Sequence, residues 1–201
     1  IVSTYISSTF TKCYGDSTGE LNIINTTGGV PPYNYYCSNG FSSNNVTTIL
    51  VTSGQYTVIV SDDNNCEETL FFNVQDSPEL ICSVTRTDLL CFQDNSGTID
   101  LSVDGGILPY TFSWAGPGGP YNTTEDLNGL AAGTYNVTVT EANGCITTQT
   151  ITLTEPLPFV EIFNTDDVNC NGQSTGSIEL IVSGNTPPYI YSWDNGNSSS
   201  N

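Results

Sequence analysis

A long-period repeat limits what this chain can fold into more than any other feature. The stretch LNGLAAGTYNVTVTEANGC (127–145) restates ILVTSGQYTVIVSDDNNC (49–66). Each sets a glycine two residues before a tyrosine, alternates apolar and polar residues, and ends on a cysteine after an Asn-rich turn. Cys13, Cys91 and Cys170 recur at a near-constant spacing, and a glycine follows each six residues later (Gly19, Gly97, Gly176), opening GELNI, GTIDLSV and GSIELIV. Pro-Tyr pairs come next, at Pro32-Tyr33, Pro109-Tyr110 and Pro188-Tyr189. A fixed period of this length marks an array of similar units. The spacing predicts repeats over 1–78 and 79–156, with a third, 157–201, that stops unfinished at Asn201. The natural molecule is therefore expected to continue beyond Asn201. No signal peptide opens the chain, and Ile1 reads as a cut inside a longer one.

Within each repeat the pattern is β throughout. Tyr135, Val137 and Val139 fall on one strand face, and Asn136, Thr138 and Thr140 on the other. Asn143-Gly144 is a dipeptide suited to a tight hairpin. About seven short strands per repeat, separated by Gly, Pro, Asn and Ser clusters, predict an all-β tandem array of immunoglobulin-like sandwiches of about 79 residues. Gly54-Gln55-Tyr56 and Gly133-Thr134-Tyr135 resemble a tyrosine corner, in which the phenol bonds to backbone at the turn into a late strand.

Charge removes several function classes. The chain has 21 acidic residues, two basic ones (Lys12 and Arg86), no histidine and a net charge of −19, so it repels nucleic acid and anionic lipid. At 37% hydrophobic, with regular patterning, it should still fold. No apolar run is long enough to span a bilayer. Adjacent carboxylates (Asp62-Asp63, Glu125-Asp126, Asp166-Asp167) point to opposite strand faces and fall at different points of the repeat. They do not make a facing acid/base pair, and with no histidine an enzyme is not expected. Asp76, Asp88, Asp166 and Asp167, near the predicted junctions, are candidate calcium ligands that could stiffen linkers, although no EF-hand spacing occurs. Repeat 2 contains no lysine, which excludes an isopeptide cross-link there.

A repeat this small buries only a modest core, the situation in which extracellular domains recruit disulfides. Cys13 and Cys66 hold the same repeat positions as Cys91 and Cys145, so bridges Cys13–Cys66 and Cys91–Cys145 are expected, each closing one end of a sandwich. A loop of about 54 residues closed in this way is worth roughly 4 kcal/mol on the chain-entropy model. Cys170 would pair beyond Asn201, and Cys37 and Cys82 stand outside the pattern and are expected to be unpaired, the alternative being a Cys82–Cys91 bridge that would displace Cys91–Cys145. A zinc site lacks both histidine and a Cys-x-x-Cys pair. The triads Tyr110/Phe112/Trp114, Tyr189/Tyr191/Trp193 and Tyr33/Tyr35/Cys37 each share one strand face. They are either a sugar-stacking platform or, as favoured here, the inward face of a central strand. In repeat 1 Phe71 or Phe72 would fill the space left by the missing tryptophan.

The succession C-x-x-x-x-x-G, G-G-x-x-P-Y-x-x-x-W and T-E-D-L-x-x-L-x-x-G-x-Y-x-V-x-V-x-x-x-x-G-C resembles the SprB repeat. In repeat 2 it is carried by Cys91, Gly97, Gly105, Gly106, Pro109, Tyr110, Trp114, Leu130, Gly133, Tyr135, Gly144 and Cys145. Repeat 1 departs at Cys37, Val51 and Asn65. The resemblance implies a structural segment of a long adhesin on the outer surface of a gliding bacterium, exported by a type IX secretion system. Such a filament is carried by the gliding machinery and grips the substratum or its polysaccharide. The alternatives are an extracellular glycan-binding module and a spacer attached to a secreted enzyme. In such a host Asp16-Ser17-Thr18 resembles an acidic O-glycosylation motif, with Ser17 as acceptor. Asn-x-Ser/Thr triplets at Asn25, Asn45, Asn122, Asn136 and Asn197 matter only in a eukaryotic host.

Overall fold

A computed structural model describes residues 1–119, 121, 123–194 and 198–200, the last three as backbone only. Asn122 and Asn197 of the triplets above lie outside the described residues. The described residues form seventeen strands and no helix, so the all-β expectation is correct. None of these residues forms a helix long and apolar enough to cross a membrane.

The chain gathers into two compact units. One comprises Ile1–Cys82 with Val103–Thr111 and Val139–Thr147; the other comprises Ser83–Ser102, Phe112–Thr138 and Thr148–Asn201. In the first unit, residues 1–78 supply β1 (Ser3–Ser8), β2 (Gly19–Thr27), β3 (Asn34–Cys37), β4 (Ser42–Ser43), β5 (Thr48–Val51), β6 (Gly54–Ser61) and β7 (Glu67–Val74). They form two sheets, β1-β2-β5 and β4-β3-β6-β7, and each paired neighbour within them is antiparallel. The period-2 pattern explains the core. Ile6, Leu21, Ile49 and Val51 from one sheet meet Tyr35, Cys37, Val58, Val60 and Val74 from the other. Cys37 is fully buried where repeat 2 has Trp114, and Phe72 and Phe41 pack against this cluster. Phe71 does not fill the space; it is 78% exposed, because it lies on the outward face of β7 opposite Thr57.

Repeat 2 is spelled as β8 (Ile81–Thr87), β9 (Gly97–Asp104), β10 (Thr111–Ala115), β11 (Leu127–Leu130), β12 (Gly133–Thr140) and β13 (Ile146–Leu153). Its sheets run β11-β9-β8 and β10-β12-β13. Trp114, Ile99, Leu101, Leu127, Leu130, Tyr135, Val137, Ile151 and Leu153 are buried, so the tryptophan and the alternating strand faces point inward as expected. The Trp114 indole N–H donates to Thr124 O at 3.0 Å, which satisfies its polar end. Gly97 is required by close approach: a Cβ there would stand 2.8 Å from both Leu130 O and Leu153 Cδ1. Gly19 is in the same position against Val51 O, at 2.9 Å.

Residues 157–201 contribute β14 (Val160–Asp166) paired with β15 (Ser177–Ser183), and β16 (Ile190–Ser192) paired with β17 (Ser198–Ser200). Their apolar faces are open. Phe159, Phe163, Leu180, Tyr189, Tyr191 and Trp193 line a cleft of about 630 Å³.

Three devices recur. Tyr135 donates its phenol to Ala131 O at 2.8 Å and Tyr56 donates to Thr52 O at 3.1 Å, both four residues upstream, as a tyrosine corner requires. Burial pushes the Tyr135 phenol up to about 12. The tyrosines of the Pro-Tyr pairs bond to a glycine carbonyl five residues back, Tyr33 to Gly28, Tyr110 to Gly105 and Tyr189 to Gly184. The bond entering each of these prolines is cis, which the sequence pattern did not reveal.

Candidate functional site

The chemistry of the chain concentrates where one early loop meets one late hairpin. The early loop, 9–18, joins β1 to β2. The Asp16 carboxylate accepts the Cys13 N–H at 3.0 Å, the Thr18 N–H at 3.0 Å and the Thr18 hydroxyl at 2.6 Å. These bonds, the Thr18 hydroxyl first, hold Asp16 below the ordinary aspartate range. The loop is tied to the end of β7: Thr11 N–H donates to Gln75 O at 3.1 Å, and Ser77 N–H donates to the Thr11 hydroxyl at 3.1 Å. Asp76 accepts from Thr11, Gly15 and Ser53.

The hairpin turns at 141–145 between β12 and β13. Glu141 is buried, and its carboxylate accepts the Ile107 N–H at 2.6 Å. The turn closes through Glu141 N–H to Cys145 O at 3.0 Å and Gly144 N–H to Glu141 O at 2.8 Å. Gly144 has φ of +83°, and Asn65, its counterpart in repeat 1, has φ of +59°, a conformation asparagine tolerates. There the buried Asp62 replaces Glu141, accepting from Cys66 and Val30 N–H, and these bonds, that from Cys66 first, hold its carboxyl below the usual range.

Cys13 and Cys145 are bonded to each other, with Cα atoms 5.8 Å apart, inside the first compact unit. Asn143 adds a side-chain hydrogen bond to Lys12 O at 3.2 Å. This corrects the expected pairs Cys13–Cys66 and Cys91–Cys145: Cys66 and Cys91 are exposed thiols. The reason is the direction of the strands. The Thr4 N–H donates to the Glu68 carboxylate and Thr11 N–H to Gln75 O, so β1 runs alongside β7 in the same sense. Cys66 lies just before β7 and Cys13 beyond its end. Eight strand residues at about 3.3 Å each put them roughly 26 Å apart, far outside the span of one disulfide. Leu89 N–H donates to Thr154 O, which sets Cys91 past the end of β13, whereas Cys145 precedes its start. Both complete repeats therefore carry the early-loop cysteine at one pole and the hairpin cysteine at the other. In repeat 1 five strands, β2 to β6, separate Cys13 from Cys66, and each reverses the chain, so the two cysteines end at opposite poles.

The remaining candidates are dispersed. Cys37 is buried and Cys82 half-buried on β8. Ser17 is exposed in the early loop. Asp88 accepts Thr154 N–H and Asp166 the Ser177 hydroxyl; with Asp76 in a separate cluster, the calcium candidates are not brought together. Among the described residues, Cys13, Glu141 and Cys145 form the only group of three potential metal ligands within mutual reach, and both its sulfurs are committed to the disulfide.

No curated protein matches the chain. A family model for the SprB repeat matches residues 11–41, 83–119 and 162–198, a little over half of the sequence. Those segments include the early-loop cysteines and the Pro-Tyr pairs but stop short of both hairpin cysteines. With three matched segments at the spacing of the internal repeat, the chain belongs to the SprB repeat family, whose members are structural repeats of cell-surface proteins.

Proposed function

We propose that residues 1–201 are a tension-bearing stretch of a bacterial cell-surface adhesin, a stalk of immunoglobulin-like sandwiches whose task is reach and resistance to lengthening. The observation that carries this reading is the Cys13–Cys145 bond, which covalently closes 132 residues of sequence separation. On the chain-entropy model a loop of that size is worth about 5 kcal/mol. The strand order β1-β2-β5 against β4-β3-β6-β7 supports the immunoglobulin-like assignment. In the finer version the filament is exported by a type IX system, is moved by the gliding machinery, and meets the substratum through other parts of the molecule.

A glycan-binding role is favoured by one feature, the aromatic cleft at Phe159, Tyr189, Tyr191 and Trp193. Its counterparts in the other repeats, Tyr35 and Trp114, are buried, which supports a packing role instead. Antibodies against this segment test the proposal on intact and broken cells of the source bacterium. Labelling of intact cells, with antibody-coated beads carried along the surface, is the expected result. Labelling of broken cells alone overturns surface display, stationary beads on labelled cells overturn the gliding role, and saturable binding of polysaccharide by the isolated segment transfers the assignment to glycan recognition.

A further inference from the structure

The Cys13–Cys145 bond joins an early-loop cysteine of one repeat to the hairpin cysteine of the next. Cys91 holds the first of these positions in its own repeat and Cys66 the second; both are exposed and neither is bonded. Their settings copy those of the bonded pair. Asp94 accepts the Cys91 N–H at 3.0 Å, the Ser96 N–H at 3.1 Å and the Ser96 hydroxyl at 2.7 Å, as Asp16 does for Cys13 and Thr18. Leu90 N–H donates to the Ser96 hydroxyl at 2.8 Å, repeating Lys12 to Thr18. In the hairpin, Asp62 N–H donates to Cys66 O at 3.1 Å and Asp63 N–H to Val30 O at 2.8 Å, repeating Glu141 to Cys145 and Ala142 to Ile107. The thiols are thus held in the same loop conformations in which Cys13 and Cys145 have reacted.

We propose that Cys66 and Cys91 are cross-linking sites of the same register: an early-loop cysteine of each repeat bonds to the hairpin cysteine of the repeat that follows it. Cys91 takes a hairpin cysteine of an adjoining SprB-type repeat, and Cys66 takes an early-loop cysteine of another. Because the two sulfurs of a repeat sit at opposite poles, the linkage is head-to-tail and does not close on itself, which is the geometry of a linear array. The electrons leave to an external disulfide. The Cys91 thiolate attacks the oxidant's S–S bond, forming a mixed disulfide and expelling one thiolate. The hairpin thiolate then displaces the second, and the oxidant departs as a dithiol carrying two electrons. The proposal requires only such an oxidant and holds whatever the molecule adheres to.

The test extends the full chain by one further copy of residues 79–156, inserted after Pro156, and compares it with the 201-residue chain. Both are oxidised with glutathione disulfide, alkylated, unfolded and mapped by mass spectrometry, with the inserted copy marked by Thr147→Ser in its hairpin and carrying Cys91→Ser in its early loop. In the 201-residue chain Cys66 and Cys91 should be recovered alkylated or as mixed disulfides with glutathione, while Cys13 and Cys145 are recovered linked to each other. In the longer chain Cys91 should become protected and be recovered linked to the marked hairpin peptide. A Cys91 that still alkylates there, or that is found bonded to Cys145 or to any cysteine other than the marked one, overturns the proposal. A non-reducing gel separates the two sources from which the adjoining repeat could come. A monomer containing the Cys91 link supports linkage along one chain, and a link found only in covalent multimers overturns it in favour of linkage between copies.

Discussion

Pulling the chain by its two ends separates the observed disulfide from the one expected on repeat position. A fully extended chain spans at most about 3.6 Å per residue, so 201 residues with no bridge reach roughly 720 Å. The Cys13–Cys145 bond removes a sequence separation of 132 residues from the stretched path, about 475 Å, and leaves roughly 250 Å. Bridges Cys13–Cys66 and Cys91–Cys145 would instead hide roughly 385 Å and leave about 335 Å. Single-molecule force spectroscopy resolves these lengths. Oxidised protein should reach a final contour of about 250 Å, and the same protein in reductant, or a Cys13→Ser/Cys145→Ser variant, should reach the full length. A contour of about 335 Å would refute the strand-direction argument, and equal contours in both redox states would refute a bridge altogether.

Gly97→Ala forces a methyl group against Leu130 O and Leu153 Cδ1 and should cost about 1–3 kcal/mol in denaturant unfolding, whereas Gly129→Ala, with open space at its Cβ, tests only backbone strain at φ +67°. Tyr135→Phe removes the bond to Ala131 O and should cost about 1 kcal/mol, with Tyr56→Phe costing less because that phenol is exposed. Hydrogen bonds hold Asp16, Asp62 and Asp94 below the ordinary 3.8, so the folded state gains from their ionisation above that value and loses the gain as pH falls through their lower folded values. Thermal melts from pH 7 to 2.5 should show a loss beginning near pH 4 that is smaller in an Asp16→Asn/Asp94→Asn variant.

The parts of this fold legible in sequence are those written as spacing. The period of two in Tyr135, Val137 and Val139 placed all three in the core, and the Gly-x-Tyr element placed Tyr56 and Tyr135 on backbone carbonyls four residues back. The disulfide was not legible from repeat position, because equivalence of two cysteines says which pairs are alike and nothing about which pole each occupies. Strand direction sets the pole, and a strand count does not: five strands separate the two cysteines in repeat 1 and four described strands in repeat 2, yet both pairs end at opposite poles. Phe71 and Phe72 illustrate the same limit. Adjacent strand residues face opposite ways, and only the register with β6 selects Phe72 for the core. The cis bonds before Pro32, Pro109 and Pro188 carry no compositional mark beyond the Pro-Tyr pair itself.

If the proposed register continues along an array, load would follow a short covalent route. From Cys145 the backbone passes through β13, the connection at 154–159 and β14 to Cys170, where the next bridge would take over. Fully stretched, that route spans about 90 Å for every two repeats, against roughly 565 Å for the same two repeats without bridges. Breaking every strand hydrogen bond would then add little length, because the unfolded loops lie off the loaded path. An unbridged stalk absorbs a pull by unfolding; a bridged one passes it on to whatever holds the far end. Force–extension curves of longer arrays should therefore lack the tall series of unfolding steps when oxidised and regain it in reductant. A full series of steps in the oxidised array would refute this route.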